Sequence, residues 1–369
     1  MARRLALASR FVGATTATAA LLAAALASLT VDARAQAPAA AAPAAAAPAA
    51  APAASQELLL GSGRHTYRWV KGWAKLPEGM AELGSTHGGI VIDKQDRIYV
   101  TTDTANSLCI FEPDGRFVGA VGQELKGGLH GLVLREEAGV EYIYAAHLAG
   151  REAVKLTLDG KVVWRVGYPK ESGIYQDAGG YAPTGIAVLP DGSFVVADGY
   201  STSWLHLFDK EQKYVKSFGG GGTDPGKFQT CHGLCLDTRG EKPLLLIADR
   251  ANHRLQHFDL DCNFVKLWDK ELRLPCFTTI VNGDGDVAVP DLQGRVTIFD
   301  REMNLVCHLG DNEEPGLRAN FDVRRDRLKD GQFTSPHGCA WDSKGNLYVQ
   351  DWNVLGRVTK LERVKPAGK

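Results

Sequence analysis

The stretch YAPTGIAVLPDGSFVVADGYSTSWLHLF, residues 181–208, decides the fold. It opens on a small motif ending in glycine, Pro183-Thr184-Gly185, and continues as an apolar run. A turn signal, Asp191-Gly192, separates that run from a second, FVVAD, which ends at Asp198. A third run of the type LxxF follows. β-rich runs punctuated by Asp-Gly read as antiparallel hairpins.

The unit recurs outward in both directions. The openings are Thr86-His87-Gly88, Leu129-His130-Gly131, Pro183-Thr184-Gly185, Cys231-His232-Gly233, Phe277-Thr278-Thr279 and Pro336-His337-Gly338. Successive steps are 43, 54, 48, 46 and 59 residues. A four-strand unit at this period is a propeller blade, and six copies predict an all-β, six-bladed β-propeller. Residues 57–70, with Tyr67, Trp69 and Val70, are expected to supply the strand that completes the last blade. The charged segment from Asp311 to Gln332 lengthens the fifth step. It reads either as a disordered loop or as a lid over one mouth.

The ends of the chain differ in kind from its body. The first 55 residues hold 27 Ala, while the remainder holds 40 of the 41 Gly. Arg3, Arg4 and Arg10 precede the uncharged stretch from Val12 to Val31, and Ala33-Arg34-Ala35 offers a cleavage site. Residues 1–35 therefore read as a secretory signal peptide and the chain as exported, either periplasmic or secreted. Residues 36–56 are an Ala/Pro-rich linker, and 57–366 are the propeller. No later stretch is apolar for long enough to span a membrane. The body carries 38 basic against 42 acidic residues, so nucleic acid is not an expected partner. The seven cysteines lack a CxxC pair and read chiefly as small buried residues.

The innermost strand of each blade lines the central channel, so equivalent positions form a ring. Here that ring reads His87, His130, Thr184, His232, Thr278 or a neighbour, and His337. Blades two, four and six are related by three-fold symmetry, so His130, His232 and His337 are predicted to converge on the axis, with His87 as a fourth. Three imidazoles with an open position form the ligand set of a catalytic zinc site. Zn2+ leads, with Cu2+, Fe2+ and Mn2+ as alternatives, since imidazole suits several of them. A second ring at the ends of the second strands reads Asp103, His147, Asp198, Asp249, Asp291 and Asp351. Its Asp members suit backbone hydrogen bonds in turns. Tyr200 and Arg250 stand beside that ring and are the candidate base and carboxylate clamp. Trp352 is placed to stack on a substrate.

These blocks resemble a known family. The 181–208 stretch is followed by GTDPGKFQTCHGLCLD, IADRANHRLQHFD and TSPHGCAWDSKGNLYVQD, and preceded by WAKLPEGM. Together they resemble the NHL-repeat propellers, closest to the peptidyl-α-hydroxyglycine α-amidating lyases. The resemblance implies one catalytic zinc on His130, His232 and His337, with Tyr200 and Arg250 carrying the chemistry. It implies cleavage of a carbinolamide N–C bond, releasing a peptide amide and glyoxylate. The chain departs from that pattern at Asp103, where the family has an arginine, and at His87 and His147. It departs too at Gly338, where the animal enzymes place an aspartate that helps to bind calcium. A structural Ca2+ is the remaining cofactor alternative. Asp103 and His147 join the candidate catalytic residues on this ground. The expected partner is a small or peptide-derived substrate. A lactonase-like hydrolase and a non-catalytic NHL scaffold are the alternatives.

Overall fold

The computed structural model describes residues 57–364 apart from 126 and 281–283. The signal peptide and the whole linker (residues 1–56) lie outside the described residues, as do 365 and 366 at the end of the expected propeller.

The described chain forms six antiparallel sheets in sequence order, with only short 3-10 turns between them. This is the predicted six-bladed propeller. Blade three shows how the pattern maps onto a blade. Its strands are Gly185–Val188, Phe194–Ala197, Trp204–Phe208 and Tyr214–Gly219. The two inner strands are buried throughout, because neighbouring blades cover both faces, whereas in the outer strand only Phe218 is buried. The Asp191-Gly192 turn forms as expected: Gly192 adopts φ of 90°, open to glycine at no steric cost, and Asp191 Oδ1 accepts the Ser193 N–H.

The ring closes on the sixth blade. Strands Pro336–Trp341, Leu347–Asp351 and Val358–Arg363 take their next neighbour from the front of the body, His65–Val70. Tyr67 pairs with Arg363 and Val70 with Lys360. Tyr67 and Trp69 then pack with Phe333, Val349 and Leu361. A strand far away in sequence thus completes the sixth blade and locks the ring.

Four of the six second-strand positions act as clamps. Asp198 accepts the Ala182 N–H at 2.7 Å, Asp249 that of Gln229 at 2.8 Å, Asp291 that of Leu274 at 2.8 Å and Asp351 that of Ser335 at 2.7 Å. Each carboxylate ties down the segment entering its own blade. Blades one and two carry Asp103 and His147 there instead. The seven cysteines are free thiols, five of them buried. Among the described residues, no helix is long and apolar enough to cross a membrane.

Candidate metal centre

His130, His232 and His337 surround the axis as nearly an equilateral triangle. Their ring centroids are 4.8, 4.8 and 4.9 Å apart. All three are buried. The motif glycine explains how each is aimed. His232 Nδ1 donates to the Cys276 carbonyl at 2.9 Å, and a Cβ on Gly233 would stand 2.6 Å from that same oxygen. His130 pairs with the Thr184 carbonyl at 2.5 Å, an oxygen that a Cβ on Gly131 would meet at 2.5 Å. His337 pairs with Gly88 at 3.0 Å, where a Cβ on Gly338 would meet the oxygen at 2.9 Å. His-Gly is therefore one device. The missing side chain lets the next inner strand approach closely enough to accept the imidazole proton.

A carbonyl oxygen only accepts, so each Nδ1 is the protonated nitrogen and each Nε2 presents a lone pair. Burial holds all three rings well below the usual imidazole range, with charges of neighbouring groups adding to the effect. They are neutral at pH 7. The Tyr200 hydroxyl sits among them, 3.3 Å from His130 Nε2, 2.9 Å from His232 Nε2 and 2.9 Å from His87 Nε2. The fixed lone pairs of His130 and His232 thus meet one phenolic hydroxyl, and His337 Nε2 is buried without any partner. Orphaned acceptors in a dry site are costly, and a cation is the species that satisfies several at once. The donor set therefore fits a divalent metal, in a tautomeric arrangement typical of histidine ligands held from behind by a carbonyl.

His87 closes the triangle on one side. Its ring centroid is 4.6 Å from His130 and 5.1 Å from His337, and ligand atoms of these three lie within 4.8 Å of one another. Burial, helped by Arg250, lowers its pKa to about 4. Arg250 donates to the Tyr200 hydroxyl at 3.2 Å and forms no salt bridge among the described residues. Burial pushes the Tyr200 phenol up to about 12, against the pull of Arg250. Tyr200 in this arrangement is a proton donor until a further positive charge joins it.

Asp103 is half-buried on Tyr200's side of the ring, where its charge bears on the phenol. Burial raises its carboxyl to about 6, with Ser85 opposing. His147 is held apart. Its Nδ1 meets Glu152 at 2.8 Å, and a Cβ on Gly128 or Gly150 would strike its ring. No hydrogen bond joins it to the His cluster among the described residues.

In the fifth blade the ring position falls to the neighbour of Thr278. Phe277 occupies the axial position, with ring centroids 5.7, 5.0 and 5.3 Å from His130, His232 and His337. Thr278 turns away to meet the Cys235 thiol. Phe277 floors the site and also lines a cavity of about 760 Å³ bounded by all six blades. That plug separates the imidazoles from the opposite mouth. Cys276 stands beside it, in the one blade whose sequence lacks the His-Gly or Thr-Gly signature that aligns the others.

The 311–332 segment is ordered, with turns at Pro315–Leu317 and Arg325–Arg327. The Val354 N–H and Asn353 Nδ2 donate to the carbonyls of Phe321 and Val323, both at 3.0 Å. Phe321 packs tilted against Trp352 at 5.1 Å, and Trp352 lies 5.9 Å from His87. The segment is a fixed wall with an aromatic ledge beside the ring.

No protein-family profile matches the chain. The human protein NHL repeat-containing protein 3 is 25% identical over 222 residues, which cover 58% of this chain. The match spans 61% of that relative's length. Among solved structures, a gluconolactonase from Xanthomonas campestris superposes with a TM-score of 0.59 at 11% identity, covering 84% of this chain and 96% of its own. A streptogramin B lyase gives 0.52 at 13% identity, covering 77% and 95%. The virginiamycin B lyase of Staphylococcus aureus gives 0.51 at 13%, covering 77% and 98%. These likenesses carry the propeller and the NHL-type repeat.

The buried imidazoles set a pH dependence. Unfolded histidine titrates near about 6.5. The folded values are lower, about 4 for His87 and about 3 for the buried His206, with burial the leading cause. The unfolded chain then binds protons that the folded chain refuses. Stability is complete above the unfolded value and falls as pH drops through it, by about 1.4 kcal/mol per pH unit for each such imidazole. Urea midpoints of the metal-free protein are expected to hold steady above about pH 7 and to fall steeply below about pH 6. A flat profile across that range would contradict neutral buried rings.

Proposed function

We propose that this chain is an exported, metal-dependent lyase of the amidating type, acting on an N-acyl-α-hydroxyglycine or a close analogue. The observation that carries the reading is the set of inward imidazole lone pairs around the Tyr200 hydroxyl, with an unpaired Arg250 alongside. His130, His232 and His337 would hold the cation, and His87 would stand at its rim. The cation supplies positive charge that lowers the phenol's hold on its proton and polarises a substrate oxygen.

The remaining roles belong to the protein. Arg250 has no carboxylate partner of its own, so it is free to clamp a substrate carboxylate by two parallel bonds. With the substrate so placed, the Tyr200 oxygen takes the proton of the α-hydroxyl. The C–O electrons close to a carbonyl, the C–N bond breaks, and the nitrogen takes a proton. Products are an amide and glyoxylate; atoms and charge balance without oxidant or water. Asp103, with its carboxyl near 6, is suited to exchange that proton with solvent.

Glyoxylate release from α-hydroxyhippurate tests the reading; no release by metal-loaded protein would defeat it. Arg250→Ala is expected to raise KM for this substrate by roughly 10- to 100-fold, the worth of a charged hydrogen-bonded contact. Its KM for an analogue lacking the carboxylate should change little. A lactonase-like alternative draws support from the gluconolactonase likeness. We rank it second because the axis presents imidazoles, whereas calcium prefers oxygen ligands. Turnover of a lactone panel with retained calcium would reverse the ranking.

A further inference from the structure

We propose that Cys276 is a ligand of the axial centre, which makes it a mixed imidazole–thiolate site for thiophilic cations such as Zn2+ and excludes Ca2+, Mg2+ and Mn2+. The inference rests on the metal reading above. Ligand atoms of His232, Cys276 and His337 lie within 4.8 Å of one another, all buried. His337 belongs both to this group and to the one it forms with His87 and His130. Its Nε2 is the unpartnered nitrogen. Around a tetrahedral zinc, sulfur and nitrogen ligands sit roughly 3.5 Å apart, so side-chain rotations of about 1 Å suffice to close the group.

The backbone holds Cys276 in place for this. Its N–H donates to the Pro290 carbonyl at 2.9 Å, and its carbonyl takes the Nδ1 proton of His232. One residue thus aims an imidazole and sets its own sulfur beside it. The thiol's own hydrogen bond is a long one, 3.7 Å to the Leu274 carbonyl, and is readily given up. The Arg250 guanidinium lies against the sulfur and would balance a thiolate charge. Among the described residues, no other cysteine groups with two imidazoles. On binding, the S–H bond breaks, a metal–sulfur bond forms and the proton leaves to solvent; no electron moves.

Cobalt(II) is the probe. The metal-free full-length protein, titrated with Co2+, is expected to develop the intense near-ultraviolet sulfur-to-cobalt charge-transfer band along with the visible bands of a four-coordinate ion. Cys276→Ser should lose the near-ultraviolet band while still taking up cobalt, and Cys235→Ser should keep it. Cys276→Ala with an unchanged circular dichroism spectrum guards against misfolding. Cobalt uptake by the wild type without the band, or a band that survives in both Cys276 variants, would overturn the thiolate ligand and leave the imidazole centre standing. Failure to take up any cobalt would overturn both.

Discussion

Replacing His232 by alanine is expected to strip the protein of its metal and abolish glyoxylate release. His232 is fully buried, and its Nδ1 is committed to the Cys276 carbonyl, so its Nε2 has one fixed direction. Removing the imidazole leaves a gap between His130, His337 and Phe277, which all touch it. A Cβ on Gly233 would stand 2.6 Å from the Cys276 carbonyl, so the strand that carries the imidazole is packed closely against its neighbour. Loss of a mere outer-shell partner lowers metal affinity by about 10- to 100-fold, so loss of a ligand should exceed 100-fold. Metal analysis after gel filtration reads this directly. A variant that keeps one metal per chain would mean that His232 is a packing residue.

Tyr200→Phe should separate binding from chemistry. The phenol ring is held by its stacking on His87 and by the Arg250 guanidinium over its face. Phenylalanine keeps both contacts and loses only the hydroxyl. Metal content should be unchanged and KM close to the wild type, while kcat falls by about 10²- to 10⁴-fold, the usual worth of a positioned proton-transfer group. Steady-state kinetics with metal-loaded protein decide it. Unimpaired kcat would remove Tyr200 from the reaction.

Sequence spacing carries the features that blade repetition sets. The propeller, its closing strand and the convergence of His130, His232 and His337 follow from a motif repeated at fixed intervals, since blade symmetry turns equal offsets into a ring. The Asp positions of the second strands were legible as turn clamps for the same reason, and Asp198, Asp249, Asp291 and Asp351 all accept backbone N–H groups. Blade five escaped because Phe277-Thr278-Thr279 lacks the His-Gly device, so nothing in its pattern says which residue points to the axis. The difference of one residue moves the axial role from Thr278 to Phe277 and brings Cys276 to the centre. The 311–332 segment has no repeat to align with. Its order comes from long-range bonds to Asn353, Val354 and Glu82. The seating of the Tyr200 hydroxyl among three imidazoles depends on side-chain reach across the ring, which no spacing encodes.

The central claim is that the axis of this propeller is a metal centre. Anomalous diffraction from crystals of the purified protein, collected above and below the zinc absorption edge, tests it most directly. One strong anomalous peak is expected on the axis, within bonding distance of His130, His232 and His337. Crystals grown from zinc-supplemented protein that show no such peak would contradict it.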